Sequence, residues 1–595
     1  MPVDLECCVK LGRQGPAFAQ GFGPASACRY SKAQPRFDSV GASLLETTRR
    51  REQARSHKRR GRLTAWHSFC FSPQVHTPSV ISTPKDAYRL TKIVFTLGPA
   101  TEHERVLASL IEAGVDICRF NMAHANHTWT RTMIRRVREV CRLTGRHIGI
   151  LMDVKGPEIR TGDLPVPVEL VVGQMIDLLP HPGPAEPGIL TVSVNYPDFG
   201  EDVPVGTMVL VDSGLIRLVV VSATRDRVRC RVVVPARMGS RRHINLPGVK
   251  VRLPALSAKD RADIAVGVEE KVDFFALSFV REANDVEILR SLLAELKSTA
   301  RIIAKIEDQS GLANLDGIIE AADAIMVARG DLGIEVPMED LPLIQKRAVE
   351  TCIRHRKPVI VATHLLESMI LSPVPTRAEV SDIAGAVWSS ADAIMLSGET
   401  TTGLYPLECV QLMKRVTGRI EGSMTKGYNH DLPLKTNKDR LLRSAVMLAQ
   451  ELGDAGIVVF TRTGLLPETL SALRAWRCPL YAFTDVPQVF LHMLLLWGVE
   501  PFLLDFKSEP EETIKNAMAY LLRRGWVKEG DWMVVITNAL AEENVIDAIQ
   551  MRPVPAEAVA TDSSTIDFKE INPPAPEPID PVDTTQLSVA QKKVI

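Results

Sequence analysis

Acidic, basic, amide and hydroxyl side chains recur in this 595-residue sequence at the ends of short apolar runs. They are Arg119 and Asn121, Asp153 and Lys155, Ser278, Lys305 and Glu307, Arg329 and Asp331, Thr363, and Ser397 and Glu399. Mg²⁺ binds one or two carboxylates together with substrate oxygens and water, a role that suits Glu307 and Asp331. Lys305 is an ammonium that could stabilise negative charge beside such a metal. The alternatives are an acid pair bound to nearby arginines and, for Thr363, a core hydroxyl bonded to backbone.

These side chains lie at the ends of seven out of eight apolar runs, and the runs alternate with stretches of helical length. The runs are Lys92–Leu97, Val115–Phe120, His147–Met152, Val272–Leu277, Arg301–Ile306, Asp323–Ala328, Pro358–Ala362 and Asp392–Leu396. Strands alternating with helices indicate βαβ units and a parallel sheet, and eight repeats predict a (β/α)8 barrel of the TIM type. Because the carboxyl ends of such strands form one mouth, we expect the polar groups to meet there.

Two further segments have other patterns, and they give the predicted domain limits. Residues 163–249 hold β-like runs at Val168–Val172, Met208–Val211, Ile216–Val221 and Val228–Val234. They predict a small β-barrel domain that is inserted after the third strand and closes over the mouth. Residues 435–553 combine a helical period over Leu441–Leu452 with strand-like runs at Gly456–Phe460, Leu480–Phe483 and Trp532–Thr537. They predict a C-terminal doubly wound α/β domain, which leaves residues 88–162 and 250–422 for the barrel.

The overall composition excludes several classes of protein. The 71 basic and 71 acidic residues balance, which argues against a dedicated nucleic-acid-binding protein. Ten cysteines without a CxxC pair predict neither a disulfide framework nor a zinc site, and they favour the reducing cytoplasm. No apolar run reaches the length of about 18 residues that a membrane-spanning helix needs.

The two ends of the sequence are polar and lack a period. Residues 1–87 contain the basic clusters Arg49–Arg51 and Lys58–Arg60 and predict a disordered basic extension. An organellar transit peptide is the alternative, although Asp4 and Glu6 are unusual in such peptides. Residues 554–595 are rich in Pro and acidic residues and predict a disordered tail.

Ten segments are similar to the signature segments of pyruvate kinases. They are Lys92–Ala100, Arg119–His124, Met152–Gly162, Asn245–Gly248, Leu253–Asp260, Ala304–Glu307, Met326–Glu335, Ala362–Met369, Pro375–Glu379 and Met395–Thr400. The resemblance covers about residues 90–550 in the family's domain order. It implies transfer of a phosphoryl group from phosphoenolpyruvate to ADP, giving pyruvate and ATP, with Mg²⁺ and K⁺ as cofactors.

The resemblance also implies roles for particular residues. Arg119, Lys305 and Thr363 match the family's catalytic residues, and with Gly330 and Asp331 they match its substrate-binding residues. Glu307 and Asp331 match the Mg²⁺ ligands. The nucleotide-binding positions are matched by Arg160, Arg242, His124 and Asn121. The planar guanidinium of arginine can bind two phosphate oxygens at once, which suits it to the phosphates of a nucleotide.

Two departures from the family pattern bear on ligand binding. Arg242 stands where the family has a lysine, and His243 where glycine is usual, so affinity for ADP or nucleotide preference is expected to shift. The K⁺ ligands Asn121, Asp153 and the Val154 carbonyl are matched, but Ala123 replaces a serine. Glu158 is the residue type that accompanies K⁺ dependence, so we predict a K⁺ site that is weakened but present.

Assembly and regulation are predicted by the same resemblance. The family is usually tetrameric, which predicts a homotetramer. Members activated by sugar phosphates hold the phosphate with hydroxyls, whereas the matching stretch Thr461–Pro467 ends in Leu-Leu-Pro and a later glycine-rich loop is replaced by Asn538–Glu543. We therefore predict no activation of the fructose-bisphosphate type.

Two other functions remain compatible with parts of the pattern. A Mg²⁺-dependent lyase acting on pyruvate enolate could share the pair Glu307 and Asp331, but it would not need the inserted domain or the arginines for nucleotide. A non-catalytic homologue could keep the fold as a sensing module. Intact Lys305 and Thr363 argue against that alternative, and Ala123 is in its favour.

Overall fold

The computed structural model describes residues 88–424, 429–541 and 544–556, without the side chains of residues 538–546. The extension predicted over residues 1–87 and the predicted tail beyond residue 556 lie outside the described residues. In the part that is described, no helix is long and apolar enough to cross a membrane.

The first three barrel strands alternate with two amphipathic helices. The elements are β1 (Lys92–Thr96), α1 (Glu104–Ala113), β2 (Ile117–Asn121), α2 (His127–Thr144) and β3 (Gly149–Val154). The strands are almost entirely buried, as is typical of parallel strands covered on both faces. Both helices end at a glycine in the left-handed region, Gly114 at φ 103° and Gly145 at φ 67°, which stops the helix and returns the chain to the sheet.

A β domain, called the lid below, follows β3. Its elements are β4 (Val168–Glu169), β5 (Met175–Leu179), β6 (Leu190–Ser193), α3 (Phe199–Asp202), β7 (Met208–Val211), β8 (Ile216–Thr224), β9 (Arg227–Val234), β10 (Arg237–Met238) and β11 (Ile244–Asn245). Six strands form one sheet in the order β11-β7-β8-β9-β5-β6, with β11 and β6 at its edges, and β10 pairs with β4. The lid has a hydrophobic core of its own around Ile176, Leu218 and Cys230.

The lid differs from the predicted strands, which include neither β5 and β6 nor the two-residue strands β10 and β11. The run Val168–Val172 pairs only over Val168–Glu169, because the chain turns between Val171 and Gln174. The apolar pattern does not indicate β5, which has the acidic Asp177 at its centre. That carboxylate is buried and forms ion pairs with two arginines of β9, which compensates the cost of a charge inside the strand.

The other five barrel strands and their helices follow the lid. The elements are α4 (Ala258–Glu269), β12 (Phe274–Leu277), α5 (Ala283–Glu295), β13 (Arg301–Ile306), α6 (Gln309–Ala313), α7 (Leu315–Ala321), β14 (Ala324–Ala328), α8 (Arg329–Glu335), α9 (Leu341–His355), β15 (Val359–Ala362), a 3₁₀ turn (Glu367–Ile370), α10 (Arg377–Trp388), β16 (Ala393–Met395), α11 (Gly398–Thr401) and α12 (Pro406–Glu421). Capping boxes at Ser257 and Thr376 satisfy the first N–H groups of α4 and α10.

The eight strands close into a barrel in the order β1-β16-β15-β14-β13-β12-β3-β2, and all neighbouring pairs are parallel. This confirms the predicted fold. Side chains such as Val94, Leu151 and Phe274 fill the interior, while a larger core joins the outer strand faces to the helices. Because every strand runs the same way, the eight carboxyl ends share one mouth.

The C-terminal part is an α/β domain, again as predicted. Its elements are α13 (Asn437–Glu451), β17 (Gly456–Phe460), α14 (Leu465–Ala472), β18 (Leu480–Thr484), α15 (Pro487–Met493), β19 (Val499–Leu503), α16 (Pro510–Arg523), β20 (Trp532–Ala541) and β21 (Asn544–Pro553). The sheet order is β19-β18-β17-β20-β21, in which only β21 is antiparallel to its neighbour. Ion pairs of Arg356 with Asp439 and of Arg474 with Asp392, each at 2.8 Å, join this domain to the barrel. The residue limits of the domains stay predictions.

Candidate active site

Lys305 lies at the mouth of the barrel, near the carboxyl end of β13. Its ammonium donates to Ser278 Oγ at 2.7 Å and to Asp153 Oδ1 at 3.2 Å, and it lies 3.0 Å from Glu307 Oε1. Burial acts to lower the pKa of Lys305, but Asp153 and Glu307 outweigh it and raise the pKa well above its ordinary value. The side chain is therefore a fixed cation where β3, β12 and β13 end.

Arg119, on β2, supplies a second buried cation. Its Nε and Nη2 lie 2.8 and 2.7 Å from Asp153 Oδ2, and its Nη1 donates to Thr96 Oγ1 at 3.0 Å. Burial acts to raise the pKa of Asp153, yet Lys305 and Arg119 hold it below its ordinary value. The ionised carboxylate therefore orients both cations.

The groups predicted to bind K⁺ lie next to one another. Asn121 and Asp153 are register partners on β2 and β3, and Val154 follows directly. The Asn121 amide oxygen accepts from the N–H of Ala123 at 3.1 Å, and the Val154 carbonyl accepts from the Ser278 hydroxyl at 2.9 Å. Ser278 thus brings a hydroxyl to these oxygens, whereas Ala123 offers none.

Glu307 is held by a strained part of the backbone. Its Oε2 accepts from the N–H of Phe279 at 2.7 Å, and Phe279 has a φ of 54°. This left-handed conformation is rare for a bulky residue and clusters at functional sites. Burial raises the pKa of Glu307; Lys305 opposes this effect and the nearby Asp331 adds to it. The two carboxylates together therefore favour a bound cation.

Glu307 and Asp331 are the candidate metal donors at the mouth. In the described part of the chain, no three or more His, Cys, Asp or Glu side chains are arranged to hold an ion by themselves. Mg²⁺ does not need such a cage, because it commonly keeps water and takes substrate oxygens beside one or two carboxylates. The pair Glu307 and Asp331 fits that donor set.

Thr363 and Gly330 meet where β15 and β14 end. The N–H of Gly330 donates to Thr363 Oγ1 at 2.7 Å, and the Thr363 hydroxyl donates to the Ala362 carbonyl at 2.7 Å. The hydroxyl thus forms the bond to backbone that is expected if Thr363 is only a core threonine. However, Thr363 has a φ of 68°, which is strained for a β-branched residue. Arg329, paired with Asp382, donates to the Thr363 carbonyl and holds this conformation.

Arg160 lies where the chain enters the lid. Its Nε donates to the carboxylate of Glu158, and Lys155 Nζ lies 3.0 Å from the same carboxylate oxygen. Burial acts to raise the pKa of Glu158, but Arg160 and Lys155 hold it below its ordinary value. Burial and two neighbouring arginines lower the pKa of His124, which keeps its imidazole neutral near pH 7.

Arg242 is directed into the lid rather than toward Lys305. Its Nη1 donates to Asp212 Oδ1 at 3.2 Å, and its backbone N–H donates to Thr161 Oγ1 at 2.8 Å. A Cβ built on Gly239 would lie 2.6 Å from the guanidinium, so glycine leaves the space that Arg242 occupies. The structure therefore brings most of the predicted site residues together at the barrel mouth, but it holds Arg242 apart from them.

Glu399 and Ser397, at the end of β16, support the mouth without contacting Lys305. The Glu399 carboxylate accepts from the N–H groups of Leu366 and Ser397 at 3.0 and 2.7 Å. A strand-end position alone cannot show whether a carboxylate is already used by backbone N–H groups. Conversely, Ser278 and Phe279 hold Lys305 and Glu307 in place, although the apolar pattern predicts only a strand end at Ser278 and nothing for Phe279.

The loop after β17 uses its hydroxyl internally. Thr461 Oγ1 accepts from the N–H groups of Thr463 and Gly464 at 3.2 and 2.8 Å, and the exposed Leu465 begins α14. The absence of sugar-phosphate activation stays a prediction. Of the replaced glycine-rich loop, the side chains of Asn538–Ala541 and all of residues 542–543 lie outside the described residues.

Comparison with known families and proteins agrees with this geometry. Residues 88–410 match the family model for the pyruvate kinase barrel domain, and residues 439–547 match the model for the pyruvate kinase alpha/beta domain. The crystal structure of a pyruvate kinase from Cryptosporidium parvum superposes with a TM-score of 0.74 at 31% identity, covering 80% of this chain and 98% of the other.

Curated relatives extend the match over most of the chain. Plastidial pyruvate kinase 2 of Arabidopsis thaliana is 42% identical over 474 residues, which are 78% of this chain and 81% of the relative. Pyruvate kinase of Geobacillus stearothermophilus is 41% identical, covering 76% and 77%. That of Dictyostelium discoideum is 38% identical, covering 77% and 93%. With the barrel, the inserted lid and the α/β domain in place, the chain belongs to the pyruvate kinase family.

Proposed function

We propose that Lys305, Arg119 and Thr363 catalyse the transfer of a phosphoryl group from phosphoenolpyruvate to ADP, the reaction of this enzyme family. The observation that carries this assignment is the Lys305 ammonium, held within 3.2 Å of oxygens at the ends of three neighbouring strands. A cation fixed in this way stabilises charge as it develops and needs no reorganisation during the reaction.

The transfer requires two charges to be stabilised. An oxygen of the ADP β-phosphate attacks phosphorus, the bond between phosphorus and the enol oxygen breaks, and the enolate gains a proton on carbon to give pyruvate. Lys305 and Arg119 stabilise the transferring group and the enolate oxygen. Thr363 places its hydroxyl near the carbon that gains the proton. The backbone at Gly330 and Asp331 holds the substrate carboxylate.

Enzymes of this family generally use Mg²⁺ and K⁺. We assign Glu307 and Asp331 to Mg²⁺, which when bound neutralises phosphate charge and positions substrate oxygens. Asn121, Asp153 and the carbonyl of Val154 are assigned to K⁺. Water replaces the ligand that Ala123 lacks, so the K⁺ site is weakened rather than lost.

The nucleotide is assigned to the side of the mouth that the lid covers. Arg160 and His124 lie at that side, and Asn121 is at the end of β2. Arg242 reaches the phosphates once its contact with Asp212 opens, because a guanidinium pairs with phosphate at least as well as with a partly exposed carboxylate. No nucleic acid or membrane partner is proposed.

The chain is proposed to assemble as a homotetramer. Large apolar side chains are exposed on two barrel helices, Leu343 on α9 at 68% and Trp388 on α10 at 60%. Surfaces of this kind are typical of subunit contacts. Light scattering after gel filtration tests the assignment: a mass four times 65.5 kDa supports it, and a monomer at micromolar concentration contradicts it.

The cytoplasm is the proposed compartment, and import into an organelle is the alternative. The six cysteines of the described residues are free and buried, which suits a reducing compartment. Three of the relatives are plastidial or chloroplastic by name. Imaging of the full-length chain with a C-terminal tag, beside a variant that lacks residues 2–87, distinguishes the two. Organellar signal that is lost in the shortened variant would overturn the cytoplasmic proposal.

The deciding experiment measures pyruvate formation from phosphoenolpyruvate and ADP with Mg²⁺, in K⁺ and in Na⁺. Lys305→Met serves as the inactive control, and Lys346→Met, an exposed lysine on α9, as the matched neutral one. We expect turnover that disappears in Lys305→Met alone. Folded protein without turnover in either salt would favour a non-catalytic homologue.

A further inference from the structure

A buried side-chain contact joins the lid to the barrel at the point where the chain leaves the lid. Asn245, the last residue of β11, donates from Nδ2 to Oε1 of Glu335 at 2.9 Å. The two residues are only 5% and 7% exposed. A buried hydrogen bond to a carboxyl group is costly to lose, because the group left behind has no water to replace its partner. This contact therefore fixes β11 to the barrel.

Glu335 belongs to the element that carries the substrate and metal groups. It is the last residue of α8, the short helix that contains Gly330 and Asp331. Its backbone carbonyl accepts from Nε2 of Gln309 at 2.5 Å, and Gln309 lies two residues after Glu307. One residue thus connects the lid with both strand ends that supply the proposed Mg²⁺ ligands.

Two other parts of the lid lie close to the barrel beside this contact. The turn between β7 and β8 is in the left-handed region at Asp212, Ser213 and Gly214, and a Cβ on Gly214 would lie 3.6 Å from the side chain of Ile334 in α8. The ring of His243, next to β11, lies 5.8 Å from that of Phe279, whose N–H holds Glu307. The lid therefore meets the metal-binding end of the barrel along one continuous edge.

The amide of Asn245 leaves room for a second hydrogen bond. Its Oδ1 is buried and has no partner among the described residues. A protonated Glu335 would donate to this oxygen while still accepting from Nδ2, which makes a closed acid–amide pair. Burial raises the pKa of Glu335 to about 7, with Asn245 opposing the shift and Asp308 and Asp331 adding to it.

The charged surroundings of this pair are mixed. Arg281 and His243 line the same small cavity at the hinge as Glu335, and Asp308 faces it from the loop before α6. Burial lowers the pKa of His243, so its ring is neutral near pH 7 and adds little charge. The acid–amide pair therefore forms below about pH 7 and is reduced to a single hydrogen bond above it.

We propose that Glu335 is a positioning residue, which through Asn245 couples closure of the lid to the placement of the carboxylates Glu307 and Asp331. It does not touch the reacting atoms. The proposal rests on the assignment of those two carboxylates to Mg²⁺. While the contact between Asn245 and Glu335 is intact, the lid edge and α8 move as one body.

The test compares variants of both partners. Glu335→Gln keeps a donor and an acceptor toward Asn245 and removes the titration; Glu335→Ala and Asn245→Ala break the contact, alone and combined. Glu339→Gln, an exposed change four residues further on, is the matched control. The readouts are kcat, the Mg²⁺ concentration for half-activation and the pH profile, beside hydrogen exchange over residues 244–249 and 330–335.

For the single alanine variants we expect kcat to fall about tenfold with a higher Mg²⁺ requirement, as for other hinge changes. The double variant should be no worse than either single one, because both remove the same contact. The kcat of Glu335→Gln should stay near that of wild type. The change in kcat that the titration of Glu335 causes in wild type between pH 6 and pH 8 should be absent from this variant. Exchange in both segments should rise together in the alanine variants.

Additive losses, or alanine variants with unchanged Mg²⁺ activation, would overturn the coupling. So would exchange that rises in one segment only. Because hydrogen exchange needs no turnover, the coupling is measured even if the wild-type chain fails the kinase assay, and the two failures stay distinguishable.

Discussion

The ammonium nitrogen of Lys305 lies 3.0 Å from Oε1 of Glu307, the residue next but one along the chain. Residues at this spacing leave a strand on the same side, so one strand end supplies both a cation and a metal-binding carboxylate. Without a metal, the lysine is the positive partner of Glu307. A bound Mg²⁺ would free part of that charge for the transferring group.

Replacing a proposed Mg²⁺ ligand should abolish most activity without unfolding the chain. Glu307→Gln keeps the shape and the bond from Phe279 but loses the negative charge, and we expect a fall in kcat of about 10²–10³, the size seen when one stabilising group is removed. A Mg²⁺ titration of initial rates is the measurement. Glu339→Gln provides the comparison at an exposed site. A normal Mg²⁺ curve for Glu307→Gln would refute the assignment.

Restoring the missing hydroxyl should strengthen K⁺ activation. In Ala123→Ser an additional oxygen joins those of Asn121 and Asp153, so we expect the half-activating K⁺ concentration to fall severalfold. The rate is measured over a range of KCl at constant ionic strength. Ala125→Ser, two residues on, introduces the same group outside the proposed ligand set. Equal K⁺ curves for Ala123→Ser and wild type would show that the site is not at this position.

Removing Arg242 should affect the nucleotide and not the other substrate. We expect Arg242→Ala to raise the KM for ADP by about tenfold, the loss of one charge-assisted contact to phosphate, with the KM for phosphoenolpyruvate unchanged. The neighbouring Arg241 pairs with Asp163 on the lid surface, and Arg241→Ala is the matched control. If Arg241→Ala raises the KM for ADP as much as Arg242→Ala does, the effect comes from the loss of positive charge on the lid and not from a contact of Arg242 with phosphate.

The contact between the barrel and the C-terminal domain should make stability depend on pH. Burial acts to raise the pKa of Asp439, but Arg356 and the N–H of Thr436 lower it to about 2. Because the folded pKa lies below the unfolded value near 4, the contribution is present above pH 4 and is lost as the pH falls toward 2. It amounts to about 2 kcal/mol.

Thermal unfolding between pH 7 and pH 3 measures this contribution. Asp439→Asn should lower the Tm at pH 7 and show a smaller decrease of Tm with acid than wild type. The exposed change Asp431→Asn should leave both unaltered. An Asp439→Asn variant whose Tm falls with acid as steeply as that of wild type would count against the assignment.

The barrel could be predicted because its strands are continuous apolar runs, with ends given by polar residues. The lid was harder, since β5 carries Asp177 at its centre and the charge interrupts the apolar pattern until its arginine partners are known. Within the site, residue types indicated Lys305 and Glu307. The contact of Asn245 with Glu335 joins positions 90 residues apart, and no local pattern indicates such a pair.

The pairing of β1 with β16 sets an order of events during synthesis of the chain. The first barrel strand has no neighbour on one side until the last strand leaves the ribosome, whereas the strands of the lid pair only with one another among the described residues. Domains fold as units during translation. The lid is therefore expected to be complete while the barrel is still open, so a nascent chain that ends before Ala393 carries a finished lid over an unfinished mouth.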